Sequence, residues 1–227
     1  MLREIVKLPP LDAKRNNTIM SKLLPLFPLQ LVVFPRTQLP LHIFEERYKQ
    51  MVGESMAQAT EFGIVLAQGE GIVNAGCTVR VETVLTKYED GRLDIMTMGA
   101  RRFEIVELNQ QKAYLQGEVE FFDDDDTDLV PASLRQEAVR LYQAWVESRR
   151  GENQVDLDLT AAQLSFQLAQ PLQDLAFQGM LLRDRSEGSR LRRLISYFGE
   201  QLPREKQSAR MKHLAPMNGF GAKPADL

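Results

Sequence analysis

FPRTQLPLHIFEERYKQMV, residues 34–52, decides how this chain is read. Leu39, Leu41 and Ile43 alternate with Pro40 and His42, the period-2 pattern of a strand. After Phe44 the period changes. Tyr48, Val52, Met56 and Ala59 recur at helical spacing, which puts them on one helix face. Glu45 and Glu46 fall in the first turn, where the helix dipole favours negative charge. The stretch therefore predicts a seam: a strand over 39–43 feeding a helix from about Glu45. Its prolines restrict ladder pairing, and its acids need no catalytic role to explain them.

Working outward, 23 to about 123 has a β texture. Leu24, Leu26, Leu29 and Leu31-Val32-Val33 are short apolar runs broken by Pro25 and Pro28, which reads as strand edges or kinked segments. A buried strand over 63–67 leads to a turn at Gln68-Gly69-Glu70-Gly71. The run 78–85 alternates, and Asp90-Gly91 between two such runs is a hairpin signal. A strand over 93–98, a turn at Gly99-Ala100 and strands over 102–106 and 114–119 follow. Strands spaced this closely predict a small, highly curved antiparallel sheet.

Beyond Asp123-Asp124-Asp125-Asp126 the period becomes helical. Leu134, Ala138, Leu141, Tyr142, Trp145 and Val146 line a helix starting near Pro131. A second helix is expected over 161–169 with Thr160 as its cap, and Pro171 restarts helix at a favoured first-turn position. Asp184 or Ser186 caps the last helix, which Pro203 ends. The fold class is α+β. Residues 1–22 form a poorly defined extension, 23–123 a β lobe with one helix, 124–203 a helical lobe and 204–227 a disordered tail.

The chain has 227 residues, 44% hydrophobic and 26% charged, as expected of a globular protein long enough to bury a core. Its net charge of −3 is uneven. Residues 1–22 and 204–227 each carry a surplus of three positive charges, leaving −9 for 23–203. An acidic body argues against a nucleic-acid-binding core. No window reaches the roughly 18 apolar residues of a membrane span, and charges and prolines interrupt any signal-peptide block in 1–11. Cys77 is the single cysteine, so no internal disulfide forms; this fits a reducing, cytoplasmic setting. Met20 is an alternative natural start, with 1–19 an upstream extension.

The chain offers little chemistry. No glycine-rich loop ends in Gly-Lys-Ser/Thr, and Glu70 within Gly69-Glu70-Gly71 is wrong for cradling phosphate. Two histidines and one cysteine do not make a usual zinc site. The acidic run from Asp123 lacks the glycine and glutamate an EF-hand loop needs at its sixth and twelfth positions, which are Asp128 and Leu134 here. A Cys77–His42 pair is conceivable in space but has no supporting motif. The expectation is a protein with no catalytic, cofactor-binding or metal-binding residues.

Several phrases together resemble the N-terminal substrate-binding domain of Lon proteases. They are Leu24-Pro25-Leu26-Phe27-Pro28-Leu29, Val33-Phe34-Pro35 and Leu39-Pro40-Leu41-His42-Ile43-Phe44-Glu45-Glu46-Arg47-Tyr48. Gly76-Cys77-Thr78-Val79, Asp90-Gly91-Arg92, Gly99-Ala100-Arg101-Arg102-Phe103 and Leu164-Ser165-Phe166-Gln167-Leu168-Ala169 continue the order. The resemblance spans roughly 23–202. It implies a PUA-like β lobe followed by a helical bundle, and binding of unfolded or extended polypeptide without enzymatic activity. The candidate binding residues are Phe34, Pro35, Leu39, Pro40, His42 and Phe44. The alternatives are an adaptor docking onto a protease or chaperone in trans and, with less support, an RNA-binding PUA-like protein. No cofactor, nucleic acid or membrane is expected as a partner.

Overall fold

The computed structural model describes residues 5–7, 23–125, 130–149 and 157–214, with backbone alone at 5–7 and 203–214. The strands are β1 (Ile5–Lys7), β2 (Leu24–Leu29), β3 (Gln38–Ile43), β4 (Phe62–Gln68), β5 (Gly71–Lys87), β6 (Leu93–Asn109) and β7 (Gln116–Phe122). The helices are α1 (Glu46–Ala57, between β3 and β4), α2 (Ala132–Ser148), α3 (Leu164–Ala169), α4 (Leu175–Arg183) and α5 (Glu187–Leu214). The class is α+β, as the sequence predicts.

The seam forms where expected. β3 ends at Ile43, Glu45 occupies the cap position with extended backbone, and Glu46 stands in the first turn of α1. The buried face of α1 is shifted, however. Tyr48, Met51, Val52 and Ser55 face inward, whereas Met56 is exposed. Ala59 lies past the helix end with a positive φ of 51°, so it belongs to no helix face.

The sheet runs β1-β5-β4-β2-β7-β6-β3, and a further β5–β6 pairing returns it on itself. Five strands thus close a ring, with β1 and β3 as outer additions. All pairs are antiparallel except β2 with β4, so the lobe is mixed rather than purely antiparallel. A parallel pair needs a long crossover, and the segment from β3 through α1 supplies it. Leu24 and Pro25 pair with β7, while residues 26–29 pair with β4. Each half of this proline-bearing strand therefore has a register partner on one side.

Two features extend the sheet beyond its sequence pattern. Gly99-Ala100 is no turn: β6 runs straight through it for 17 residues. The β5–β6 register shifts between Cys77 and Val79, where Arg102 and Gly99 are the partners, so the glycine sits at a bulge. In the N-terminal extension, Ile5–Lys7 pairs with Gly71–Val73. The core of the ring is Leu26, Val65, Ile72 and Phe103.

The described residues divide into two units. The sheet unit takes 1–126 together with Leu172–Arg185, so α4 groups with the strands and not with the other helices. Arg102 explains this grouping. Its buried guanidinium donates to the carbonyls of Leu182 (3.1 Å) and Asp184 (2.9 Å) at the end of α4, and to Asp124 Oδ1 (2.6 Å). The Asp125 amide also donates to the Arg185 carbonyl (2.8 Å).

The helical unit packs α2, α3 and α5 around Tyr142, Trp145 and Phe198, whose rings lie 5.4–6.3 Å apart. Arg190, fully buried, donates to Glu187 Oε2 and Ser165 Oγ (both 2.8 Å). Helix α3 starts later than expected. Thr160 turns back onto Asp158 instead of capping it, and Pro171 precedes α4 without beginning it; Asp174 caps α4 by accepting from the Phe177 amide. Ser186 does cap α5, accepting from the Ser189 amide at 3.0 Å. Ser186→Ala is expected to cost about 1 kcal/mol in urea unfolding of this unit. Backbone α5 passes through Pro203 to Leu214. One proline removes one ladder donor, but the Arg-Glu-Lys-Gln that follows favours helix. The remaining tail, 215–227, and residues 126–129 of the acidic run lie outside the described residues.

Candidate functional site

β3 is an outer strand of the sheet, and its pleat sorts the sequence-predicted residues. Pro40, His42 and Phe44 fall on the exposed side, with Phe44 59% exposed. Leu39 and Pro35 are half-buried. Phe34 is 1% exposed and belongs to the core, so it presents nothing to a partner. It lies at a tight turn: the Thr37 amide donates to the Phe34 carbonyl (3.3 Å), Pro35 is the second residue, and Arg36 has a φ of 61°. Proline at that place with a positive φ after it has the character of a type II turn.

The β3–β6 register places Pro40 opposite Met96 and His42 opposite Asp94. Asp94 accepts from His42 Nδ1 (2.5 Å) and from the Tyr88 hydroxyl (2.7 Å). The hydrogen bond from His42, then that from Tyr88, holds the Asp94 carboxyl below the usual range. The His42 ring stacks on Phe44 (5.8 Å) and meets Tyr88 edge-on (6.0 Å). Arg92 covers the Tyr88 ring at 4.8 Å. The outcome is an exposed aromatic face fixed by a central carboxylate. Phe44 sits at its end, the most exposed of these apolar residues.

Cys77 does not join His42. It pairs with Arg102 along β6, well away from Asp94, and is fully buried with its thiol donating to the Thr78 carbonyl (3.4 Å). Burial pushes that thiol up to about 12, which leaves it protonated and unsuited to attack. Among the described residues no group of three or more His, Cys, Asp or Glu side chains is placed to hold a metal ion. No helix among them is long and apolar enough to cross a membrane.

A second feature escaped the sequence reading. A groove of about 720 Å³ lies between the end of α1, the start of β2 and β7. On one rim Glu54 accepts from Lys112 (2.5 Å) and Tyr114 (2.7 Å). These bonds, with that from Gln50, bring its carboxyl down to about 2. On the other rim Arg101 donates twice to Glu61 (3.0 and 3.1 Å) and lies 3.8 Å over the Phe121 ring. Leu24, Pro25 and Val119 add apolar wall. The available signal was Ser55, a hydroxyl on the inward face of α1 beside Met51 and Val52.

Comparison with known proteins identifies the family and the fold. The profile of the ATP-dependent protease La (LON) substrate-binding domain matches residues 23–207. A Lon protease from Syntrophus aciditrophicus is 29% identical over 118 residues, 47% of this chain and 15% of that protein. The chain thus spans a small fraction of that relative's length. Among solved structures, a Lon N-terminal domain protein from Xanthomonas campestris superposes with a TM-score of 0.63 at 25% identity, covering 78% of this chain and 98% of the other. The N-terminal domain of a Mycobacterium avium complex Lon protease does so at 0.58 and 15% identity, over the same shares, a likeness of fold.

Proposed function

The chain belongs to the ATP-dependent protease La (LON) substrate-binding domain family, and from that premise we propose that it holds extended polypeptide on the outer face of β3 without performing chemistry on it. Family membership over 23–207 is the observation that carries the reading. The face formed by Pro40, His42 and Phe44, flanked by half-buried Pro35 and Leu39, supports it. An exposed phenylalanine stacked on a fixed imidazole offers a rigid anchor of low ordering cost. The acidic body favours polypeptide over nucleic acid, and a buried thiol suits a cytoplasmic setting.

Fluorescence anisotropy with labelled, aliphatic-rich peptides tests the proposal. Phe44→Asp is expected to weaken binding about tenfold, the effect of removing one large apolar anchor. Phe44 is exposed, so far-UV circular dichroism should not change. A Phe44→Asp chain that binds as well as the parent rejects this face.

A further inference from the structure

The groove between α1, β2 and β7 carries a requirement of its own. Ser55 is 3% exposed, and among the described residues its hydroxyl has no hydrogen-bond partner. A buried hydroxyl left unpaired is costly, and a polar ligand relieves that cost. Gln116, 8% exposed, lines the same groove and carries a side-chain carboxamide. A carboxamide offers one donor–acceptor edge, the complement of a peptide unit's carbonyl and amide. Leu24, Pro25, Val119 and Phe121 give an apolar wall beside these groups.

The charges then select among peptides. Both cations on the rims are taken: Lys112 by Glu54 and Arg101 by Glu61. Glu118 lines the groove, is exposed and makes no ion pair among the described residues. The groove is therefore left with one uncompensated carboxylate.

We propose that this groove is a second polypeptide subsite, in which Ser55 and Gln116 bind the main chain of an extended segment, the apolar wall takes one aliphatic or aromatic side chain, and Glu118 selects a neighbouring lysine or arginine. The proposal rests on the polypeptide-binding reading and assigns that reading a site and a preference. It makes the segment's sequence matter, because a basic residue next to the apolar anchor gains an ion pair and an acidic one meets repulsion.

Two labelled peptides provide the test, one with a leucine flanked by lysines and one with the same leucine flanked by glutamates. The parent chain is expected to bind the lysine peptide at least about fivefold more tightly at low salt, with the difference narrowing as salt rises. Glu118→Lys should abolish or invert that preference. Ser55→Ala should weaken both peptides about five- to tenfold without lowering Tm, because its hydroxyl bonds nothing among the described residues. Phe44→Asp should leave the charge preference in place. If peptides bind and respond to Phe44→Asp but ignore Ser55→Ala and Glu118→Lys, the groove is not the subsite while the β3 face stands. If neither peptide binds the parent chain, both readings fall.

Discussion

Arg102→Met is expected to destabilise the sheet unit by about 3–5 kcal/mol, the range for removing one member of a buried ion pair. Methionine is nearly as long and fully apolar, so the change removes the donors while keeping most of the volume. Three acceptors then lose a bond from Arg102: the Leu182 and Asp184 carbonyls and Asp124 Oδ1. The Leu182 carbonyl is the buried one of the three, and a buried acceptor that loses its donor costs about 1–3 kcal/mol. The guanidinium also lies 4.7 Å over the Phe122 ring, a contact methionine replaces only in part. Hydrogen exchange in urea is the measurement of choice, since it separates this unit from the helical one. The amides of α4 should lose protection first, because Arg102 is the buried tie at the end of that helix, beside the more exposed Arg183–Glu104 pair (3.3 Å). Arg102→Met combined with Asp124→Leu should recover part of the loss, as no carboxylate is then stranded. A loss below about 1 kcal/mol, or unchanged exchange in α4, would remove Arg102 from this role.

The same residue marks the limit of what the sequence discloses. The seam was legible because its signals are local: alternation up to Ile43, a helical period from Tyr48, acids at the helix start. The turn at Gly91 and the Ser186 cap were legible for the same reason. The allegiance of α4 was not. Its helical period says only that a helix forms, while the partner that recruits it lies 80 positions away in sequence, at Arg102. The parallel β2–β4 pair is similarly silent, since alternation does not say which neighbour a strand has. In the candidate site, Phe34 and Phe44 are the same residue type ten positions apart, one in the core and one in solvent. Composition does not separate them; the turn after Phe34 and the pleat of β3 do. The groove was hidden because it joins α1, β2 and β7, which meet only in the fold.

Gly99→Ala should destabilise the sheet unit by about 3 kcal/mol, at the upper end of the range for forcing a methyl group into a packed site. A Cβ at position 99 would fall far inside contact distance of the Phe34 carbonyl oxygen, and 3.2 Å from Val33 Cγ1. The oxygen belongs to backbone, so no side-chain rotation relieves the overlap. Nor is that backbone free to retreat. The Arg36 amide donates to the Gly99 carbonyl (2.8 Å), and the Gly99 amide donates to the Thr37 carbonyl (2.9 Å). Phe34 itself is anchored by its buried ring. The turn and the bulge therefore lock each other, and β3 follows directly from the turn. Exchange protection in β3 should fall more than in β4. Gly179→Ala provides the opposite expectation within the same unit. It lies inside α4 with nothing within 4 Å of an added Cβ, so alanine should stabilise by about 0.5–1 kcal/mol through helix propensity. Opposite signs at the two glycines would locate the cost at position 99 in its contact with Phe34. Equal effects would mean that the turn yields, and that the start of β3 is held by something other than this bulge.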